Sequence, residues 1–218
     1  MMALVETTNP RRTATREKRR QQLIDATIKC IARKGMSSTT LSDVAGEAGL
    51  SQGIVNLHFE SKDNLLNETL RYLADEYKTH FDAALHRAGS DPSHRLRAVM
   101  ELDLHPLICN RRKIAVWFAF RGEVKSRPAY RRICDEYERY YDNVVENLCR
   151  KIIAEGGYEN LDASTIALAL AALTDGLWLS CLISRQTWDR NKAENSVRTY
   201  LCNTFPEHFE IASTISED

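Results

Sequence analysis

The sequence predicts an all-α protein, and two observations carry that prediction. Apolar residues recur at intervals of three and four along most of the 218 residues, which is the spacing of one helix face. No proline occurs between Pro10 and Pro92, and no alternation of apolar and polar residues marks a β-strand. We expect about nine helices, divided between a small N-terminal domain and a larger second domain.

Three helices make up the predicted N-terminal domain. We expect them over about residues 16–33, 40–48 and 51–57. Gly35 and Gly49 follow the first two helices, where glycine is the usual C-terminal cap. The second helix opens on Thr40-Leu41-Ser42-Asp43, in which Thr40 and Asp43 have the spacing of a capping box. The end of the first helix and both ends of the second therefore have a local signal.

A long fourth helix is predicted from Ser61 to about Gly89. Its apolar positions continue from Leu65 to Leu85, and about 27 residues correspond to roughly 40 Å of helix. A helix of this length that starts directly after the short ones is typical of a strut between two domains. Asp91-Pro92 then begins another helix, with the cap residue placed before a proline.

The second domain is predicted to contain further helices over about residues 111–123, 128–155, 162–186 and 192–204. The last two are rich in alanine, leucine and valine, and the apolar girdle of residues 166–182 is wider than a surface helix needs. Two interpretations of that girdle stay open. It is either a central core helix or a helix that pairs with a second subunit.

Composition argues against an enzyme and against a membrane protein. The six cysteines are never closer than fifteen residues and the histidines lack HExxH spacing, so neither a metal site nor a redox pair is indicated. Glycine-rich phosphate loops are absent from the sequence as well. The longest apolar run, residues 166–173, is far shorter than the roughly 20 residues of a membrane span, and no secretory signal is found. We therefore expect a cytoplasmic protein without a cofactor.

Net charge is zero over the whole chain but is unevenly distributed. Residues 1–62 contain ten Lys and Arg against six Asp and Glu, while residues 63–218 contain twenty against twenty-four. Within the basic part, residues 11–20 hold six basic side chains and one acidic side chain. Such a run suits the phosphates of a nucleic acid, and the alternative is a solvated charged arm.

Residues 40–57 have the spacing of a helix-turn-helix motif. The small side chain of Ala45 lets two helices cross closely, and Gly49 lets the chain turn without backbone strain. Val55 is the apolar residue that anchors the second helix in the core. A recognition helix meets base edges with the residues at its start that face outward. Here those residues are Gln52, Gly53 and Asn56.

The predicted DNA contacts divide into base contacts and phosphate contacts. Gln52 and Asn56 can each pair with two atoms of an adenine edge, and Gly53 lets the backbone approach closely. Phosphates are expected near His58, near Lys62 and near the Thr40 hydroxyl. The predicted set is Thr40, Gln52, Gly53, Asn56, Leu57, His58 and Lys62. The alternative is an ordinary three-helix surface with polar residues placed by chance.

The segment TTLSDVAGEAGLSQGIVNLHFESKDNLL resembles the DNA-binding segment of TetR/AcrR-type transcriptional repressors, and the resemblance extends over residues 16–66. That family commonly has tyrosine at the position of Asn56 and an aromatic residue at the position of Leu57. The resemblance implies a DNA-binding regulator. Because of the two departures, the operator of another member does not transfer to this chain.

The rest of the chain is similar to the BetI-type branch of that family. The similarity lies in Gly53-Ile54-Val55 of the recognition helix, in DGLWL at residues 175–179 and in WFAF at residues 117–120. Members of that branch repress choline-to-betaine genes and are relieved by choline. The resemblance thus implies a repressor with a small-molecule effector, and it suggests choline or a related quaternary ammonium.

Aromatic residues are concentrated in the second domain, where they can hold a cation. Tyr137 and Tyr141 lie one helical turn apart, and Trp117 and Phe120 are neighbours on one face. Such rings attract a quaternary ammonium, with Asp175 or Glu123 as its counter-charge. The predicted ligand set is Trp117, Phe120, Tyr137, Tyr141, Asp175 and Trp178. The alternative is that these aromatic residues belong to the core.

We expect three parts in the chain: a basic flexible arm over residues 1–15, a helix-turn-helix domain over 16–62, and an effector-binding and dimerisation domain over 63–218. A two-fold homodimer through the two C-terminal helices would place the recognition helices roughly 34–36 Å apart on a near-palindromic operator. A hydrophobic drug or acyl ligand is the alternative effector, and activation in place of repression stays open. A protein-interaction adaptor would leave Gln52, Asn56 and the basic arm without a role, and a helical enzyme is disfavoured because no nucleophile, metal or cofactor constellation appears in the sequence.

Overall fold

The structure is a computed structural model that describes residues 10–184 and 187–210. Those residues form nine α-helices and no β-strand, which confirms the all-α prediction. The N-terminal helices are α1 (Pro10–Lys34), α2 (Leu41–Ala48) and α3 (Gln52–Phe59). The others are α4 (Lys62–Arg87), α5 (Pro92–Leu104), α6 (Arg111–Gly122), α7 (Pro128–Gly156), α8 (Ala163–Ile183) and α9 (Arg190–Thr204).

The predicted capping box at the start of α2 is formed. The Asp43 backbone N–H donates to Thr40 Oγ1 at 3.2 Å, and the Thr40 N–H donates to the Asp43 carboxylate at 2.8 Å. Gly49 ends the helix with a φ of 63°, in the left-handed region where glycine is unstrained. These two local signals fix the length of α2, because each satisfies backbone groups that a helix end leaves unpaired.

The first helix begins earlier than predicted. Helix α1 starts at Pro10 rather than near Arg16, so residues 10–15 of the predicted flexible arm are helical. Proline is accommodated in the first turn of a helix, and no glycine or second proline follows it before Arg16. The remaining arm residues, 1–9, lie outside the described residues, as do residues 185–186 and 211–218 of the predicted second domain.

The start of α9 also differs from its prediction near residue 192. Asp189 caps the helix, and its carboxylate accepts hydrogen bonds from the N–H groups of Asn191 at 2.9 Å and Lys192 at 3.3 Å. Helix α9 therefore begins at Arg190. An aspartate before a helix is a standard N-cap, so this boundary was available from the sequence.

Helix α4 connects the two halves of the molecule. It packs against α1 and α3 of the N-terminal half and against α5, α6 and α7 of the second half. Two ion pairs lie where the halves meet: Arg20 of α1 with Glu68 of α4, and Arg127 with Asp63 at 2.9 Å. Helix α6 packs directly against α1. The N-terminal half is thus in contact with the second half through α4 and through α6.

Candidate DNA-reading surface and effector cavity

The turn between α2 and α3 fixes how α3 is presented to solvent. Gly49 reverses the chain, and the Leu50 N–H donates to the Ala45 carbonyl oxygen at 2.9 Å. Val44, Ala45 and Val55 are buried beneath the turn. With Val55 and Phe59 held in the core, the orientation of the opposite face of α3 is determined.

The opposite face of α3 carries the residues that the sequence assigns to base reading. Gln52, Gly53, Asn56 and Leu57 are all exposed, and 71% of the Leu57 surface is accessible. A β-carbon added at Gly53 would meet only Ser51 Oγ, at 3.8 Å, which is an ordinary contact. Nothing within the described chain therefore demands a glycine at position 53, and its contact with DNA stays a prediction.

The residues predicted to bind phosphate have different surroundings. His58 and Lys62 are half-buried at the junction of α3 and α4. Thr40 is exposed, but its hydroxyl and its backbone N–H both donate to the Asp43 carboxylate. Since Thr40 has no donor left for a phosphate, the structure supports a capping role for it.

Basic residues of α1 lie beside the end of α3. Arg16, Lys18 and Arg19 are exposed, and among the described residues no ion-pair partner is found for them. Burial lowers the pKa of His58, and the positive charges of Arg16 and Arg19 lower it further. A positive surface therefore flanks the recognition helix, as a phosphate-binding face requires.

The second half contains a cavity of about 280 Å³ between α4, α5, α6, α7 and α8. Its aromatic walls, which we call the aromatic box, are Tyr77, Trp117, Tyr137, Tyr141 and Trp178. Tyr137 lies at the centre of the box, edge-on to Trp117 at 5.0 Å and to Tyr77 at 4.9 Å between ring centroids. A smaller cavity of about 40 Å³ adjoins four of these rings, and its lining includes the ion pair of Lys113 with Glu76.

A buried carboxylate lies in the aromatic box. Asp103 of α5 is 1% exposed and lines the larger cavity. Its carboxylate accepts hydrogen bonds from the hydroxyls of Tyr77 and Tyr141, the latter at 3.1 Å, and its backbone oxygen accepts one from Trp178 Nε1 at 2.7 Å. Burial raises the pKa of Asp103 to about 7, although the hydrogen bonds from the two tyrosines act to lower it.

Comparison with known proteins identifies the family. A family model described as "BetI-type transcriptional repressor, C-terminal" matches residues 92–206, and one described as "Bacterial regulatory proteins, tetR family" matches residues 23–69. The chain belongs to the BetI-type regulators of the TetR family. It is 33% identical to the HTH-type transcriptional regulator BetI of Paraburkholderia xenovorans over 187 residues, covering 85% of this chain and 93% of that one.

Two solved structures resemble this BetI-type regulator. A transcriptional regulator of Pseudomonas aeruginosa PAO1 superposes with a TM-score of 0.77 at 27% identity, covering 89% of this chain and 95% of that chain. A transcriptional regulator of Saccharomonospora viridis in complex with choline gives a TM-score of 0.74 at 25% identity, covering 85% and 96%. The matched families and relatives are transcriptional regulators, which confirms that this chain is not an enzyme.

Two of the residues predicted to bind the effector do not line this cavity, and a third lines it but is already paired. Phe120 is fully buried away from the cavity, with its ring against Tyr130 at 5.0 Å. Glu123 is exposed beyond the end of α6, where Ser126 Oγ donates to it at 3.1 Å. Asp175 does line the cavity, but its carboxylate lies 2.7 Å from Arg121 Nη1 and is already paired.

Trp117 faces the cavity while Phe120 does not because of the helical register of α6. Lys113, Trp117 and Arg121 follow each other at four-residue intervals and share one face, from which Phe120 is rotated. Sequence reasoning missed Asp103. Its signal was its place on the helix: Asp103 follows Leu96, Val99 and Met100 at intervals of seven, four and three, on the apolar face where an unpaired charge is costly, whereas Glu101 lies off that face.

Helix α8 of this regulator is long and apolar enough to cross a membrane. Within its most apolar stretch, 33% is buried inside the protein. A single such helix is weak evidence for a span, since core helices of globular proteins have the same composition. The sequence prediction considered only uninterrupted apolar runs and so did not single out this helix. Within the fold, α8 packs against α5, α6, α7 and α9.

Proposed function

We propose that this regulator represses transcription from a near-palindromic operator and that choline, or a related quaternary ammonium, releases it. One observation carries the choice of effector: a cavity in which five aromatic rings surround a buried carboxylate. A repressor of this kind acts on chromosomal DNA, so we place it in the cytoplasm.

The chemistry of the aromatic box suits a permanent cation. Each ring face that a quaternary ammonium contacts contributes roughly 0.5–2 kcal/mol, with the higher values in desolvated sites. Asp103 supplies the opposite charge within the same box. Burial keeps the pKa of Tyr77 and Tyr141 well above the ordinary value, so both hydroxyls remain donors to the carboxylate. Methyl groups of the cation would meet rings, and its charge would meet Asp103.

The choline complex of the Saccharomonospora viridis regulator supports this proposal, because that protein shares the fold at 25% identity. A long acyl chain is less well matched to this cavity, whose lining includes Asp103, Glu138, Asp142, Asp175 and Arg121. Charged side chains along a cavity wall would be desolvated by an acyl chain without gaining partners.

Two helices link the cavity to the DNA-reading surface. Tyr77 lies on α4, which begins at Lys62 beside the recognition helix, and Trp117 lies on α6, which packs against α1. A cation that repositions these rings would therefore displace the helices that hold α1 and α3. A coupling free energy of about 1–3 kcal/mol between the two sites is sufficient for release.

Calorimetry on the purified protein tests the effector. We expect heat with choline and none with 3,3-dimethylbutan-1-ol, its uncharged isostere, while betaine and carnitine report how a carboxylate on the ligand is tolerated. Asp103→Asn should weaken choline binding at least about tenfold because it removes the counter-charge. Asp75→Asn, an exposed carboxylate on the same helix as Tyr77, is the control and should bind as the wild type does. Equal binding of the isostere and choline would reject the proposal that the cavity recognises a cation.

An operator selected from random DNA tests the regulator itself. We expect a near-palindrome whose complex dissociates when choline is added. Gln52→Ala and Asn56→Ala should each relax the base preference at specific positions, at a cost of about 1–3 kcal/mol. An adaptor protein would instead select no sequence, and an activator would show the same operator with the opposite effect on a reporter gene.

A further inference from the structure

A mostly polar cleft of about 520 Å³ lies where the N-terminal half meets the second half. We call it the junction cleft, and residues of α1, α3, α4 and α7 line it. Its charged lining residues are three arginines and three glutamates: Arg20, Glu60, Glu68, Arg71, Arg132 and Glu136. The junction cleft shares no lining residue with the effector cavity, so it is a separate site.

Charges of both signs line the junction cleft without being paired. Arg20 and Glu68 form an ion pair with each other. The other four have no ion pair within the part of the chain that the structure describes: Glu60, Arg71, Arg132 and Glu136. Arg132 and Glu136 lie one turn apart on α7 and still do not pair with each other. A molecule that carries both a negative and a positive group can therefore pair with both.

The α4 wall of the junction cleft contains an unsatisfied polar atom. Asn67 lines the cleft, and its side-chain oxygen is buried with no hydrogen-bond donor among the described residues. Buried polar atoms nearly always have a partner, so this oxygen lacks a donor that the folded chain does not supply. Arg71 lines the cleft one turn later, and its planar guanidinium matches a carboxylate. The α4 wall thus offers an acceptor for an ammonium group and a donor for a carboxylate.

A third side of the junction cleft is the end of the recognition helix, where the backbone is strained. Glu60 has a φ of 62° and a ψ of −39°, and the Ser61 N–H donates to the Phe59 carbonyl oxygen at 2.6 Å. This is a γ-turn with a positive φ, which is rare and strained. Glu60 is the one non-glycine residue with a positive φ in the described ranges. Such residues concentrate at ligand sites and switch regions, and this one adds a carboxylate to the cleft.

We propose that the junction cleft is a second ligand site, that it takes a small zwitterion of the α-amino-acid class, and that the bound zwitterion alters operator binding. The ligand's carboxylate pairs with Arg71 and Arg132. Its ammonium group donates to Glu136 and to the side-chain oxygen of Asn67.

The charge balance of the junction cleft selects a zwitterion over a simple ion. Three arginines face three glutamates, so a simple anion meets carboxylates and a simple cation meets guanidinium groups. His58 also lines the cleft, but burial and the positive charges of Arg16 and Arg19 lower its pKa, which disfavours a further positive charge. A ligand without net charge but with both charged groups satisfies each sign.

The junction cleft touches the helices that serve DNA and effector. Glu60 directly follows the recognition helix, and Glu136 directly precedes Tyr137 of the aromatic box. A ligand that pairs with α4 and α7 together favours one spacing of the two halves near Lys62, where α4 begins. A ligand that prefers one arrangement of a DNA-binding protein shifts its affinity for DNA, and DNA shifts the affinity for that ligand by the same factor. This second site is independent of what the aromatic box binds.

Thermal-shift measurements on the full-length protein, with the twenty L-amino acids one at a time, search for the ligand, and calorimetry measures its affinity. We expect at least one amino acid to bind. Its N-acetyl derivative has no ammonium group and its amide derivative has no carboxylate, so each should bind at least about tenfold more weakly. Sodium phosphate at the same ionic strength should give no comparable shift.

Substitutions on α7 locate the ligand. Arg132→Gln and Glu136→Gln should each weaken amino-acid binding at least about tenfold, because each removes one charged partner. The matched controls are Arg131→Gln and Asp135→Asn, which alter exposed residues one position earlier that do not line the cleft. Both controls should bind the amino acid as the wild type does, and so should Asp103→Asn in the effector cavity. Circular dichroism checks that each variant is folded.

A mobility-shift assay with the selected operator tests the effect on DNA. A saturating concentration of the amino acid should change the operator affinity of the wild type at least about fivefold and should leave that of Arg132→Gln unchanged. An unchanged wild-type affinity would overturn the proposal.

Three binding results would also overturn it. Failure of every amino acid to bind would remove the ligand class, and equal binding of the N-acetyl derivative or of phosphate would assign the cleft to a simple anion. Loss of amino-acid binding in Asp103→Asn would place the ligand in the aromatic box. Wild-type protein that gives no heat with choline but binds the amino acid would reject the proposed effector and support the junction cleft.

Discussion

The hydroxyl of Tyr141 donates a hydrogen bond to the Asp103 carboxylate at 3.1 Å, across the floor of the cavity. Tyr77 donates to the other oxygen of the same carboxylate. A charge buried this deeply is costly unless donors or a cation surround it. The donors to the carboxylate are neutral hydroxyls, so under the proposed function a bound cation would supply the positive charge.

Choline binding should strengthen as the pH rises through about 7. Burial raises the pKa of Asp103 to about 7, so below that pH the cation must displace a proton before it gains a counter-charge. We expect the affinity to fall about tenfold per pH unit on the acidic side and to level off on the basic side. Calorimetry between pH 6 and pH 8 measures the profile. Asp103→Asn should flatten it, and an unchanged slope in that variant would assign the proton to another group.

The same carboxyl should make folding stability depend on pH. Its pKa is about 7 in the folded protein against an ordinary value of 3.8, so the folded state holds the proton more tightly than the unfolded chain does. Its contribution to the free energy of unfolding is therefore fully present below about pH 4 and is lost as the pH rises through about 7. Urea unfolding of the wild type and of Asp103→Asn measures the difference. A difference that does not decrease with pH would contradict the assignment.

Tyr137→Leu should weaken choline binding and spare the fold. The leucine fills much of the space of the ring but has no π face for the cation, and the loss should be about 0.5–2 kcal/mol of binding free energy. Because Asp103 is kept, the pH dependence of binding should be retained. Tyr140→Leu, on the same helix but outside the cavity lining, is the control and should bind choline normally. Equal losses in the two variants would indicate a general effect on α7.

Gly53→Ala should stabilise the protein and weaken its binding to DNA. Space for the added methyl group exists, since its nearest neighbour would be Ser51 Oγ at 3.8 Å. Alanine in place of glycine within a helix is favourable by roughly 0.5–1 kcal/mol. Thermal unfolding and a mobility-shift assay measure the two effects. Gly46→Ala, in α2, is the control for the effect on stability alone. Unchanged DNA affinity in Gly53→Ala would contradict the prediction that the backbone at position 53 lies close to DNA.

Thr40→Ala should lower stability without changing the salt dependence of DNA binding. The substitution removes the cap of α2, and the free energy of unfolding should fall by about 0.5–2 kcal/mol. Lys62→Gln should change stability little but should weaken the salt dependence of DNA binding. The slope of log affinity against log salt concentration should fall in magnitude by about one. A reduced salt-dependence slope in Thr40→Ala would instead support the phosphate contact that the sequence predicts for Thr40.

The sequence by itself determined the helices and the reading face. Thr40, Asp43, Gly49 and Pro92 act on backbone groups a few residues away, so their effects can be read from neighbouring positions. The outward face of α3 follows in the same way, because burying Val55 orients Asn56 a single residue later. The differences at Pro10 and Arg190 concern helix ends, each of which has a local signal in the sequence: a proline in the first turn of α1 and an aspartate before α9.

Only the tertiary structure decided which residues line the candidate effector cavity. The partners of the Asp103 side chain lie 26, 38 and 71 residues away along the chain, on three other helices. Periodicity shows that a residue faces inward, but it does not show which inward-facing residues of different helices meet. For that reason Phe120 was assigned to the cavity and Asp103 was missed. Helix packing, which follows from burying the apolar faces of α4 to α8 together, brought one carboxylate into the box and paired Asp175 with Arg121.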